Sequence, residues 1–140
     1  MDLLAFAKTV ADRVEAQSVR AKVPVAVSVM DVHGNLVLQH RMNGAPLFAI
    51  EISERKAYTS ALVGLRTADL FPLVQPGQEL FHLIGLAGGR FCAMAGGAPL
   101  TSEGRTIAGV GVSGGSVLQD VEILESALRE PVAPIGAAAS

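Results

Sequence analysis

The chain has 140 residues, half of them hydrophobic and only 17% charged, with a net charge of −2. A domain of that length buries roughly 70% of its extended-chain surface and needs no disulfide or metal to fold. No apolar run approaches the ~18–20 residues of a membrane span, the scattered basic residues argue against nucleic acid, and the single cysteine, Cys92, excludes an internal disulfide and a multi-cysteine metal site. Low charge density on so small a chain points to self-association. The first residues, MDLLAFAKTVADRV, carry early acids and no extended apolar core, so a cytoplasmic location is expected.

Leu3, Phe6, Val10, Ala11 and Val14 recur at helical spacing, which predicts an amphipathic helix ending near Arg20. Pro24 opens PVAVSVMD, a β-branched strand with apolar residues on both sides, so both sides are expected to be covered. The turn formers of DVHGN lead to LVLQHRM, the second strand of a hairpin. A helix starts at Pro46 and runs to about Arg66, with Glu51 and Arg55 as a favourable i,i+4 pair.

Prolines and glycines then break the pattern. A short helix is expected around Ala68–Leu73, a brief strand at Leu80–Ile84, and strands at RFCAMA, APL and RTIAGVGV. A last helix carries Val117, Leu118, Val121, Leu124 and Leu128, and a loose tail covers 130–140. Hairpins outnumber crossovers, so the expected architecture is an antiparallel sheet with helices packed on it.

Between Ala95 and Gly115 seven glycines bracket one strand. Gly109-Val-Gly111-Val-Ser-Gly114 formally matches G-x-G-x-x-G, but the dinucleotide reading needs an acidic residue on a following strand, and Pro134 stands about 20 positions on. Two readings survive. Amides of Ser113 to Val117 at a helix N-terminus suit an anion or carboxylate; alternatively, the glycines let strand, helix or a neighbouring subunit pack closely.

Among titratable residues, His33 falls in a turn and His82 in the interrupted segment. His40 shares a strand side with Leu36, Leu38 and Met42 and is expected to face an apolar region, either hydrogen-bonded in the core or available as a haem ligand or acid–base group. Arg41 projects to the other side, and Lys56 falls beside Ala49, Ile52 and Val63. Such cations need a carboxylate, with Asp31 and Asp120 the structural candidates, or the carboxylates of a bound molecule. Glu51 and Glu54 are a weak metal pair or a solvated face, and Cys92 reads as packing. No catalytic triad or metalloprotease motif is legible, and no metal is expected.

Taken together, VPVAVSVMDVHGNLVLQHRMNGA, ERKAYTSA, QPGQELFHL, GGAPL, EGRTIAGVGVSGG and the final QD resemble the GlcG/HbpS-like haem-degrading family, which includes the C-terminal domain of PduO-type corrinoid adenosyltransferases. The resemblance covers about residues 3–129, giving one domain at 1–129. It implies a profilin-like α/β fold with a five-stranded antiparallel sheet, a homo-oligomer, often an octamer, and haem binding in some members. It places family positions on Arg41, Lys56, Gly96, Gly97, Ser113 and Gly114, and with Gly115 these form the expected ligand-binding set. Some haem-binding members use a histidine in the N-terminal helix, whereas residues 2–20 here contain none.

The leading expectation is therefore a small-molecule-binding oligomer with haem as ligand, His40 as axial ligand, and Arg41 or Lys56 on the propionates. A second is an enzyme acting on a small carboxylate or carbonyl compound, with Lys56 or His40 as base and the Ser113–Gly115 amides as an anion pocket. A third is a non-catalytic oligomeric accessory protein.

Overall fold

The computed structural model describes residues 1–132. Helix α1 (Leu3–Ala21) starts at Asp2, whose carboxylate accepts the Ala5 N–H at 3.0 Å, and ends at Lys22 in the left-handed region. Strands β1 (Ala26–Asp31) and β2 (Leu36–Arg41) form the first hairpin. Helix α2 (Ala49–Val63) follows, then the single turn α3 (Thr67–Leu70) and three 3-10 turns between Phe71 and Gly89. A second hairpin, β3 (Gly97–Ser102) and β4 (Arg105–Ser113), precedes helix α4 (Val117–Leu128).

The sheet has the order β2-β1-β4-β3, with every neighbouring pair antiparallel. Its two central strands are covered on both faces. Val27 and Val29 of β1 and Ala108, Val110 and Val112 of β4 pack with Phe6, Val10 and Val14 of α1 and Ile123 and Leu124 of α4. Met30 joins Ala57, Tyr58 and Ala61 of α2 on the opposite face. Burying each of these large aliphatic side chains contributes about 1.5–3 kcal/mol.

On the α2 face β4 presents Gly109 and Gly111. A Cβ on Gly109 would come 2.5 Å from the Ala61 nitrogen, and one on Gly111 2.7 Å from the Ala57 nitrogen. Their bare backbone lets the helix lie directly on the strand. Close packing is thus what these two glycines of the G-x-G-x-x-G match provide, and no βαβ unit is present among the described residues.

The antiparallel sheet with flanking helices agrees with expectation, but it has four strands among the described residues rather than five. The expected RFCAMA strand does not form. Phe91 stacks against Tyr58 at 5.4 Å between ring centroids, and the Cys92 N–H donates to Thr59 Oγ1 at 2.8 Å, so the segment follows α2 rather than a sheet edge. Leu80–Ile84 is not a strand either, because its residues close i→i+3 bonds in the 3-10 turn Phe81–Gly85. Helix α2 stops at Val63, before Arg66, since Gly64 takes φ +78° and its N–H returns to the Ser60 carbonyl.

The expected tail from residue 130 lies mostly outside the described residues. Its first residues are tied down: Arg13 donates to the carbonyls of Glu130 at 2.6 Å and Pro131 at 3.5 Å. Among the described residues no helix is long and apolar enough to cross a membrane.

Candidate functional site

Helix α2 carries Lys56 across the sheet toward the start of α4. The side chain is 0% exposed, and its Nζ donates to the Val112 carbonyl at 2.8 Å and to Asp120 Oδ2 at 3.2 Å. The other Asp120 oxygen accepts the Gly115 N–H at 2.9 Å. Burial pushes the Lys56 ammonium below the usual lysine range, and the Asp120 charge opposes that shift. Burial likewise pushes Asp120 upward against Lys56 and the backbone N–H groups of Gly115 and Gly114. Each ion is the main partner sustaining the other's charge in the interior.

Gly96 and Gly97 close this junction. A Cβ on Gly96 would lie 2.7 Å from the Lys56 Nζ and 2.8 Å from the Val112 carbonyl, and Gly96 itself has φ +122°. The Gly97 N–H donates to Thr67 Oγ1 at 2.8 Å. Both glycines are buried, and what they approach is the chain's own Lys56, Thr67 and Ser60.

The Ser113–Gly115 segment is similarly occupied. Gly114 packs against Pro24 and Val25, Gly115 donates to Asp120, and Ser116 and Gln119 form a reciprocal capping box at 2.8 and 3.1 Å. The carboxylate at this helix N-terminus is Asp120 itself. Of the expected ligand-binding set, Lys56, Gly96, Gly97, Ser113, Gly114 and Gly115 thus come together, around an internal ion pair.

His40 and Arg41 lie elsewhere, on the edge strand β2. The alternation holds from Leu38 onward, where Leu38, on the His40 side, joins the core under α1 and Gln39 on the other side reaches α2. Leu36, expected on the His40 side, instead lines the α2 face beside Met30, because the β1–β2 register shifts between Val29 and Met30. His40 nevertheless does not face an apolar region. Its side chain is 46% exposed, with Nδ1 2.7 Å from Glu15 Oε1 of α1, because an edge strand extends past the helix that covers its neighbours. Arg41 is exposed and donates to the Ala45 carbonyl at 3.3 Å, with no carboxylate partner among the described residues. Asp31, its structural candidate, instead accepts the N–H groups of His33 and Asn35, both at 2.9 Å, in the hairpin turn.

The Glu51–Arg55 pair forms at 2.9 Å, and among the described residues no three His, Cys, Asp or Glu side chains gather as a metal site. Sequence reasoning missed Glu15 as the partner of His40. Helical spacing only set Glu15 off the apolar stripe; the strand it meets is 25 residues away. It also missed a polar set of buried Ser28 and Ser53 with half-buried Gln39, where the Ser28 and Ser53 hydroxyls meet at 2.8 Å and the Gln39 amide donates to Ser28 at 2.9 Å. Small polar residues inside apolar strands and helices were the available signal.

A four-stranded antiparallel sheet between helices, locked by a buried Lys–Asp pair under a glycine-rich hairpin, defines a small α/β domain of one recognisable class. The chain belongs to the HbpS-like family: the family model described as "Haem degrading protein HbpS-like" matches residues 4–129. It is 41% identical over 125 residues to an uncharacterized 15.0 kDa protein of the dhaT-dhaS intergenic region of Citrobacter freundii, covering 89% of this chain and 88% of that protein. It is 38% identical over 107 residues to the corrinoid adenosyltransferase PduO of Salmonella typhimurium, covering 76% of this chain and 32% of that protein, so it spans about a third of that relative. The crystal structure of a PduOC:haem complex matches with a TM-score of 0.84 and 33% identity, over 89% of this chain and 91% of that one.

Proposed function

We propose that this chain is a haem-binding, self-associating cytoplasmic protein, with His40 as axial ligand and Arg41 on a propionate. The observation that carries the reading is the His40–Glu15 contact at 2.7 Å. A carboxylate on Nδ1 favours the tautomer that keeps Nε2 free as a ligand nitrogen, the arrangement by which proteins orient and strengthen a histidine ligand. Membership of the HbpS-like family and likeness to a PduOC:haem complex support haem as the ligand.

The residues fit in part. His40 offers a ligand nitrogen and the neighbouring exposed Arg41 a cation, whereas Lys56 is sealed with Asp120 and is left out of the proposed haem contacts. A cleft of about 440 Å³ between α1 and α4 is lined by Gln17, Arg20, Gln119 and Glu122 among others, with no histidine, cysteine, methionine or tyrosine, so it offers no customary axial ligand. Bound haem supplies a redox-active iron. The chain's own part is to hold the His40 ring through Glu15 and to neutralise one carboxylate.

Self-association is supported by large apolar side chains left in solvent, among them Leu47 (75% exposed), Leu118 (67%) and Phe48 (64%). Haemin titration of the wild type is expected to give a saturable Soret shift that His40→Ala abolishes. An unchanged spectrum for the wild type overturns the proposal, and an unchanged shift in His40→Ala overturns the ligand assignment.

A further inference from the structure

On the α2 face of the molecule, away from His40, lies a cleft of about 260 Å³ between the β1–β2 turn, α2 and the Ala87–Arg90 turn. We propose that it binds a small zwitterion, a molecule of free-amino-acid size carrying an ammonium and a carboxylate a few atoms apart.

The spacing of Glu51, Glu54, Arg55 and Tyr58 places all four on one side of α2. Arg55 is already committed, donating to Glu51 at 2.9 Å and to the Gly89 carbonyl at 2.9 Å. That second bond fastens a turn in which Ala87, Gly88 and Gly89 all have positive φ, at 53°, 67° and 78°. A left-handed alanine costs about 1 kcal/mol, so the turn is held by its contacts rather than by its own preference. Those contacts orient Arg90. Its Nε donates to the Ala87 carbonyl at 3.1 Å, and its guanidinium carbon lies 4.5 Å from the Tyr58 ring centroid.

Two opposite charges remain in the cleft. Among the described residues neither Glu54 nor Arg90 has an ion-pair partner, and they do not pair with each other. A cleft lined by a cation and an anion that do not pair with each other suits a ligand carrying both charges. The planar Arg90 edge receives a carboxylate through its remaining N–H groups, and Glu54 receives an ammonium. Met30, Leu36 and Tyr58 give an apolar wall for a short side chain. The volume of about 260 Å³ lies below the roughly 300–1,000 Å³ of drug-sized sites, in keeping with a small ligand, and none of its lining residues is used in the haem proposal.

The test is a titration of the ¹⁵N-labelled full-length chain with L-norvaline, pentanoate and 1-aminobutane, which share one alkyl chain and differ in charge. Norvaline is expected to shift the amides of Gly34, Asn35 and Tyr58 saturably. The single-charge compounds bind at least tenfold more weakly, and Glu54→Gln and Arg90→Gln each weaken norvaline at least tenfold while keeping the wild-type fold by circular dichroism. Norvaline binding no tighter than pentanoate, binding unchanged in both variants, or no saturable shift at these amides would each overturn the proposal.

Discussion

Lys56 and Asp120 stand 64 residues apart in the sequence, yet the Lys56 ammonium donates to the Asp120 carboxylate across 3.2 Å in the interior. The pair joins α2 to the start of α4 through the end of β4, because Lys56 also holds the Val112 carbonyl and Asp120 the Gly115 N–H. Breaking one half leaves the other charge buried and alone. Lys56→Met is therefore expected to cost about 3–5 kcal/mol. The double variant Lys56→Met/Asp120→Leu should recover a large part of that loss in urea unfolding. Strictly additive losses would show that the two side chains are not coupled.

Gly111 faces α2 so closely that any side chain must displace helix backbone. Gly111→Ala is expected to lower stability by at least about 2 kcal/mol through overpacking. Gly85→Ala is the matched control, since its added Cβ meets nothing within 4 Å and needs no positive φ. Equal melting temperatures for the two variants would contradict the close packing.

Asp31 holds the β1–β2 turn with two backbone N–H bonds. Burial alone would raise its carboxyl, but the N–H groups of Asn35 and His33 outweigh that and keep it below the ordinary aspartate range. A depressed folded value means the contribution is full above the unfolded pKa and disappears as pH falls through the folded one. Asp31→Ala should cost about 0.5–1.5 kcal/mol at neutral pH, and the gap to wild type should narrow as the pH drops below about 4. Thermal melts across that range check it, and a constant gap would refute the linkage.

Ser60 has a buried hydroxyl without a hydrogen-bond partner among the described residues. An unsatisfied buried hydroxyl costs free energy that an alanine avoids. Ser60→Ala is expected to leave stability unchanged or raise it by up to about 1 kcal/mol. A clear loss on chemical denaturation would reveal a partner for the hydroxyl.

Glu15 orients His40 without touching the proposed ligand itself. Glu15→Gln is expected to weaken haemin binding while retaining a histidine-type spectrum, whereas His40→Ala removes that spectrum. Identical titrations for Glu15→Gln and wild type would remove the positioning role.

Much of this molecule was readable from residue order. The stripe from Leu3 to Val14, the two-sided strand after Pro24 and the hairpin at Asp31–Asn35 each rest on local periodicity or turn chemistry, and each formed. Phe91–Met94 misled, because a short apolar run reads alike whether its partner is a strand or a helix, and here Tyr58 and Thr59 of α2 claimed it. His40 misled for a related reason: alternation states which side a residue takes, but not how far the covering helix reaches.

By itself, then, the sequence determined the class of fold, the hairpins, the family motifs and the need of Lys56 for a carboxylate, all consequences of local geometry or of a charge on an apolar helix face. Only the tertiary structure decided that the carboxylate is Asp120, that the paired glycines admit α2 and the chain's own ammonium, and that Glu54 and Arg90 share a cleft without pairing. Those outcomes depend on contacts between segments far apart in the chain, and such contacts leave no periodic trace in the order of residues.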